Sequence, residues 1–568
     1  MKVSLSWLKE LVDHKLSPNQ LADKLSLTSI GVKELTGDYL ELDLTYNRGD
    51  LLSLRGVARE LAAVTNSQVL FSAADPSNYL RLRQNLPKTP VAIADEKLSA
   101  VQCVAKIEGL SVEPSNKKWI KKLTDSGMRS VNNLVDVTNL IMLEYGQPFH
   151  AFDGQKVQDE TIMVRAARQN EEIMTLDNKL RKLTPQDIVL ADTQVAIDVA
   201  GIMGGKDTEV TDSTTTILLS ASLFNPVMLR KTAQRLGLHS EASRRFLHGL
   251  SKLNLLQAVV AAIKMYESLG GKLTAINLVG NFEDRQKSVR LTAKRLNSLL
   301  GTAIDPNFVV SALQNLRFKV NQKIAGEWMV NPPYFRLDIS QEEDLVEEVA
   351  RMLGFDKIKG QKLKDETAEK LDDSLYNFIY NLKTALKEAG LTEVQTYSFY
   401  STNVLNNFDW DKDNLVRISN PISSETEYLR EDLWPNLLEV VGKNMRRGYR
   451  DIAIFEIGKA YLKKKSSLPD EKYFLAIALM NGSDNPIQEL YQIYQRIKSK
   501  LGKGIKEKVG LPDKEEYHRL FHPTRFIAFS LSGKDIGGIA EIHPRIVNKF
   551  GIEKRVAVLE IDLEMLLS

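Results

Sequence analysis

One cysteine in 568 residues decides how this chain can hold itself together. Cys103 has no second cysteine to meet, so an internal disulfide and a multi-cysteine zinc site are both excluded, and a reducing compartment is expected. Stability must come from apolar cores. At about 150 residues per domain the length predicts roughly four of them. The 43% hydrophobic content supports that reading. Basic and acidic residues number 76 and 73, a formal charge of +3. This excludes a polybasic tail and an acidic disordered chain but leaves room for a local basic patch against nucleic acid. There is no run of about 20 apolar residues to span a bilayer. Residues 1–10 carry charge among their apolar positions, unlike a signal peptide. A soluble, cytoplasmic protein is expected.

Punctuation divides the chain. Residues 1–75 read as a small α/β unit: helix over 4–12, a second helix starting at Ser17-Pro18, a half-buried strand over 39–44, a turn at 47–50 and a helix over 51–64. The polar stretch 73–78 reads as a linker. Residues 80–280 form a larger mixed unit, with strands over 100–107, 160–166 and 188–191 and helices over 119–123, 130–143 and 253–269. Another helix opens at Asn225-Pro226 and stops at Gly237. Residues 287–360 read as an αββα-like module. Residues 370–568 alternate helices and strands behind an amphipathic start at 371–389, with a loop or frayed helix end over 500–514.

The chemistry signals are few. There is no P-loop, no G-x-S-x-G elbow and no H-E-x-x-H, and the seven histidines are scattered. Three constellations stand out. The first is acidic. Ser340 and Glu343 form a capping box for a helix starting near Gln341; Asp344, Glu347 and Glu348 then share a face, with Asp338 just ahead of it. Convergent carboxylates suit a hard cation such as Mg2+. A solvated acidic first turn with a surface Glu347–Arg351 pair fits the same spacing and is the commoner case. The second is Gln147 to Asp153, where His150 sits between aromatic residues. It reads as a pocket wall or as a hydrogen-bonded core histidine. The third is the glycine-rich 200–205, with Ser240 and Ala242 downstream, which reads as close backbone approach to a ligand or as a tight turn and a plain cap. Two basic clusters, Arg230, Lys231, Arg235, Arg244 and Arg245, and Lys443, Arg446, Arg447 and Arg450, fit either a phosphate backbone or solvated helix faces.

Taken together, stretches 1–9, 42–65, 131–153, 188–205, 236–249, 334–354, 393–399, 418–438 and 452–459 resemble the β subunit of bacterial phenylalanyl-tRNA synthetase, as do Phe521-His522-Pro523 and 537–544. The resemblance covers nearly the whole chain in order. It implies an α+β multidomain fold: an N-terminal α/β domain over 1–75, a mixed α/β editing-type domain of the B3/B4 kind over 80–280, a B5-like, winged-helix-like module over 287–360 and a class II synthetase-like antiparallel sheet core over 370–568. That core lacks a motif resembling class II motif three, so activation chemistry is not placed here. The resemblance implies an α2β2 enzyme whose α subunit holds phenylalanine, ATP and tRNA(Phe). It assigns Mg2+ to Asp338, Asp344, Glu347 and Glu348 at the shared α/β edge.

An editing pocket for mischarged Tyr-tRNA maps to His150, Gly204, Ser220, Ser240 and Ala242. The family's usual hydroxyl-reading glutamate follows Ile-Leu-Leu. Here Ile217-Leu218-Leu219 is followed by Ser220, too short to reach the same hydroxyl except through water. Set beside that family, the near-contiguity of Val32 and Tyr39 and the stop at Ser568 imply a chain without the OB-like tRNA-binding insert and the C-terminal anticodon-binding domain, and a weaker grip on tRNA is expected. A non-enzymatic tRNA-binding or scaffold paralogue is the alternative, followed by a free-standing editing hydrolase.

Overall fold

The computed structural model describes residues 1–567 apart from 73–75, 82, 284–285, 361–372, 409, 466, 484, 503 and 511–518. The chain divides into two units, Met1–Lys362 and Leu363–Ser568.

In the first unit, local capping sets the opening elements. The Ser4 hydroxyl accepts from Trp7 N–H to start helix Leu5–Leu11, and Ser17 with Gln20 forms a capping box on helix Pro18–Thr28. Strand Tyr39–Asp43 lies between Lys2–Ser4 and Gly31–Thr36, antiparallel to both. Thr36 pairs with Tyr39 across a two-residue turn, and Gly37 there takes a positive φ of 56°. Helix Leu54–Thr65 completes this part. Its core does not close on itself: Trp7, Leu42, Val57 and Leu61 pack with Leu123 and Leu140 from helices Lys117–Asp125 and Asn133–Tyr145.

The centre of this unit is two sheets face to face. One runs Lys272–Gly280, Ser99–Glu108, Thr216–Phe224, His150–Asp153, all antiparallel. The other runs Met203–Gly204, Ala196–Val199, Ile188–Ala191, Ile162–Ala166, Val91–Ile93, with only the last pair parallel. Strand Thr216–Phe224 shows how period two sorts side chains. Ile217, Leu219 and Ala221 pack toward helices Asn133–Tyr145 and Lys252–Ser268; Leu218 and Phe224 face the other sheet. Ser220 and Ser222 share the register of Leu218 and Phe224, so two hydroxyls point into the space between the sheets.

Residues 289–331 correct the expected αββα order. A short strand, Val289–Thr292, comes first, then helices Ala293–Leu300 and Pro306–Asn315, strands Lys319–Ile324 and Glu327–Asn331, and helix Glu342–Leu353. Val289 and Leu291 bury alternately, and Thr292 caps the next helix. The expected capping box is one residue late. Asp344, not Glu343, accepts from the backbone N–H groups of Ser340 (2.7 Å) and Gln341 (2.9 Å), and the helix begins at Glu342.

A buried chain of alternating charge crosses this unit. Arg48 meets Asp50 (2.9 Å) and Glu60 (2.8 Å); Glu60 meets Arg351; Arg351 and Arg336 both meet Glu348; Arg336 meets Asp338 (2.8 Å). Arg351 therefore pairs with Glu348 and Glu60 in the interior rather than with Glu347 at the surface.

In the second unit, a seven-stranded sheet runs Thr392–Glu393, Ile452–Leu462, Asp470–Met480, Ala557–Asp562, Lys534–Ile542, Phe521–Leu531, Lys506–Val509, with only the first pair parallel. Helix Trp434–Arg446 packs on one face, and helices Ser374–Glu388 and Pro486–Leu501 pack on the other. Several sequence boundaries move. Residues 76–78 of the expected linker lie in a short helix, Pro76–Arg81, while 73–75 lie outside the described residues. The helix expected over 371–389 is Ser374–Glu388, with 371–372 outside the description. Within 500–514, a helix ends at Leu501 and strand Lys506–Val509 joins the sheet edge; 503 and 511–514 lie outside the description.

Removing Glu60 from the buried chain leaves Arg48 with Asp50 alone and Arg351 with Glu348 alone, so each guanidinium loses half of its compensating charge. Glu60→Ala is therefore expected to lower the first unit's urea-unfolding free energy by about 3–5 kcal/mol. The same chain makes the fold acid-sensitive. Burial alone would raise the Glu348 carboxyl, but Arg336 and Arg351 outweigh it and bring it down to about 2. Glu348 thus stabilises the fold above the unfolded-state value of about 4.3, and that contribution fades as pH falls toward about 2. Thermal midpoints measured from pH 6 to about 2 should drop across this window.

Candidate active site

Between the two sheets of the first unit lies a cavity of about 470 Å³. Two register pairs build its wall. His150 lies opposite Ser220 on one sheet, and Asp198 lies opposite Gly204 on the other. The imidazole of His150 reaches across the gap and rests on Gly204. A Cβ at Gly204 would stand 2.1 Å from His150 Cε1, so the absence of a side chain there is what admits the ring. His150 Nδ1 comes within 3.3 Å of Asp198 Oδ2, and the ring packs on Phe152 at 4.2 Å between centroids. Phe149, Met142, Met203, Leu190, Phe224 and Phe246 supply most of the apolar lining.

Burial sets the charge state of the pair. It lowers the imidazolium of His150 to about 4, so the ring is neutral near pH 7. It pushes the Asp198 carboxyl up to about 7, against a Gly201 backbone N–H that favours the anion. Three polar atoms facing the cavity have no hydrogen-bond partner: Asp198 Oδ1, Ser220 Oγ and Ser222 Oγ. Their residues are only 4%, 3% and 2% exposed. Buried polar atoms left unpaired cost roughly 1–3 kcal/mol each, which makes this end of the cavity a place for a ligand's own polar group.

The sequence-predicted residues come together here. His150, Gly204, Ser220, Ser240 and Ala242 all line the cavity. Ser240 is also a working cap: it starts helix Glu241–His248 by accepting from Ser243 N–H at 3.0 Å. Asp198 and Ser222 were not anticipated. The one signal for Asp198 was a lone carboxylate in the apolar strand Ala196–Val199, every residue of which is buried. The basic cluster nearby is structural in part. Arg245 is fully buried and donates to Leu52 carbonyl (3.0 Å) and Glu241 (2.7 Å), and Arg235 pairs with Asp187.

The four carboxylates assigned to Mg2+ do not gather. Asp338 accepts from Arg336 Nε (2.9 Å) and Nη2 (2.8 Å); Glu348 accepts from Arg336 (2.6 Å) and Arg351 (3.0 Å). Asp344 is spent on the helix start, and Glu347 is exposed. Among the described residues no group of three or more acidic, histidine or cysteine side chains is placed to hold a metal ion. The guanidinium groups already supply the positive charge, so this donor set does not fit a divalent cation.

Three known domain families match stretches of the chain. Residues 100–271 match the B3/4 domain, 289–355 the tRNA synthetase B5 domain, and 358–563 the phenylalanyl tRNA synthetase beta chain CLM domain. These domains place the chain among the subunits of aminoacyl-tRNA ligases. It is 34% identical to the phenylalanine–tRNA ligase beta subunit of Carboxydothermus hydrogenoformans over 560 residues, covering 94% of this chain and 68% of that one. It is 33% identical to the beta subunits of Moorella thermoacetica (94% and 67% covered) and Geobacillus kaustophilus (99% and 72%). The chain belongs to the family of phenylalanine–tRNA ligase beta subunits. Among the described residues no helix is long and apolar enough to cross a membrane.

The close fit of His150 on Gly204 is open to a double-mutant cycle. Gly204→Ala alone is expected to destabilise by about 1–3 kcal/mol, and much less when combined with His150→Ala, because the clash goes with the ring. The ion chain makes a second prediction. Glu348→Ala should lower the thermal midpoint equally with Mg2+ or with EDTA, while Glu347→Ala leaves it unchanged. A Mg2+-dependent stabilisation lost in both variants would restore the metal assignment.

Proposed function

We propose that this chain is the beta half of an α2β2 phenylalanine–tRNA ligase. An alpha partner holds phenylalanine, ATP and the accepting end of tRNA(Phe), and the cavity of the first unit removes tyrosine mischarged onto that tRNA. The observation that carries the editing reading is the cavity itself: aromatic and aliphatic walls with three unpartnered polar atoms at one end. A tyrosyl ring fits such walls, and its hydroxyl supplies the group those atoms lack. Phenylalanine fills the same walls and leaves the polar atoms unpaired, which disfavours it. In the hydrolysis, water adds to the acyl carbon, the ester bond to the tRNA 3′ oxygen breaks, and the released oxygen takes up a proton. The neutral imidazole of His150 can orient that water or relay its proton.

The seven-stranded sheet of the second unit, antiparallel except at one edge, supports the reading of a class II-like core that serves as scaffold. We assign Mg2+ to the phosphates of ATP at the alpha subunit, where such ions commonly sit, and route no step through Asp338, Asp344, Glu347 or Glu348. The two-residue turn between Thr36 and Tyr39 supports the absence of an inserted tRNA-binding domain at that point, and with it a weaker tRNA contact along this edge.

The test is reconstitution. Co-expressed with its cognate alpha subunit, the chain should co-elute as one complex that charges tRNA(Phe) with phenylalanine and releases tyrosine from Tyr-tRNA(Phe). A chain that stays monomeric and adds nothing to charging by the alpha subunit contradicts the assignment.

A further inference from the structure

We propose that Asp198 reads the hydroxyl of the tyrosyl group in this cavity, with Ser220 across the gap as its partner. The proposal rests on the editing reading and goes beyond it by naming the discriminating residue. The site that the family resemblance gives to a glutamate is Ser220 here, and its hydroxyl alone is a short, neutral reader. Yet the cavity has not lost its carboxyl. Asp198 brings one from the opposite sheet, on a strand whose other residues are apolar.

Three observations carry this. The first is register. Asp198 faces Gly204 across its strand pair, and His150 faces Ser220 across the other. With no side chain on Gly204, the imidazole settles against it and the Asp198 carboxyl meets the ring rather than a neighbouring side chain. The second is satisfaction. One carboxyl oxygen lies 3.3 Å from His150 Nδ1, while the other, Oδ1, is buried and has no partner. A carboxyl group 4% exposed with an empty oxygen is costly unless a donor arrives. The third is neighbourhood. Ser220 Oγ and Ser222 Oγ, also unpartnered, open on the same cavity, so the polar end is built from both sheets.

A phenol suits this end in either charge state. It donates to an ionised carboxylate, and it accepts from a protonated one while donating to a serine oxygen. Toluene-like phenylalanine offers neither. The burial that raises the Asp198 carboxyl toward 7 is consistent with a group kept for a ligand, since in the fold it has only His150 and one backbone N–H to face. Asp198 is thus a specificity residue that touches substrate. The hydrolytic step itself stays with water and the neutral His150.

The experiment uses the complex of this chain with its alpha subunit, as wild type and as Asp198→Ala, Asp198→Asn, and Asp198→Ala combined with Ser220→Glu. Two readouts are taken: deacylation of Tyr-tRNA(Phe) against Phe-tRNA(Phe), and affinity for the non-hydrolysable amides 3′-tyrosylamino- and 3′-phenylalanylamino-adenosine. Phenylalanine charging by the alpha subunit serves as the folding control. Asp198→Ala should lose about 10–100-fold in tyrosyl deacylation and in tyrosyl-amide affinity, while phenylalanyl-amide affinity and charging stay at wild-type values. Asp198→Asn, which keeps an acceptor oxygen, should retain part of the preference. The Ser220→Glu combination should restore it by returning the carboxyl from the other sheet.

An Asp198→Ala complex that keeps its tyrosine preference overturns the proposal. So does one that loses both amides equally, which marks a structural role, and so does a wild-type complex with no preference between them. A wild-type preference for the tyrosyl amide that Asp198→Ala abolishes, without any deacylation, supports the Asp198 assignment and removes the editing reading.

Discussion

The alternating buried charges from Arg48 to Asp338 fix more of the first unit than any single apolar contact does. Arg48 and Asp50 come from the turn ahead of helix Leu54–Thr65, Glu60 from that helix, and Glu348 and Arg351 from helix Glu342–Leu353. Segments nearly 300 residues apart are thereby locked in one orientation. Each charge is taken out of water, so each depends on its neighbours, and loss of one leaves those neighbours with less counter-charge than burial demands. This interdependence also explains a chemical outcome. Asp338 and Glu348 are carboxylates in the right sequence spacing for a cation, and the cation they have is Arg336.

The cavity is a product of sheet registry. Period two along Thr216–Phe224 divides apolar residues facing the helices from Ser220 and Ser222 facing the second sheet. Facing strands then bring His150 to Gly204 and Asp198. No single segment contains the site. A one-residue slip of either strand pair would turn its polar residues into the helical core and close the pocket.

Much of the local structure was legible because caps and stops are short-range chemistry. Ser17 with Pro18, Asn225 with Pro226, and Gly237 in the left-handed region open and close helices where the sequence indicates. Strand Ile188–Ala191 was legible as an apolar run. The 287–360 module was misread at its start because strand Val289–Thr292 has only four residues, too few for alternation to show against the following helix. The pocket was legible as separate motifs around His150, Gly204 and Ser240, with Ser220 picked out by its place after Ile-Leu-Leu. Asp198 was not, because a carboxylate inside an apolar strand carries no spacing signal; its meaning lies in what stands across from it. The acidic cluster failed for the converse reason. Its spacing was visible, but the neutralising Arg336 and Arg351 are neighbours whose direction only the fold decides.

The proposed editing role of the cavity between the two sheets turns on where the hydroxyl of a bound tyrosyl group sits. A crystal structure of the α/β complex soaked with 3′-tyrosylamino-adenosine tests it most directly. The predicted result is a ring seated along Phe149 and Met203 with its phenolic oxygen within hydrogen-bond distance of Asp198. A ligand bound with that oxygen turned to solvent, or an empty cavity at saturating ligand, would contradict it.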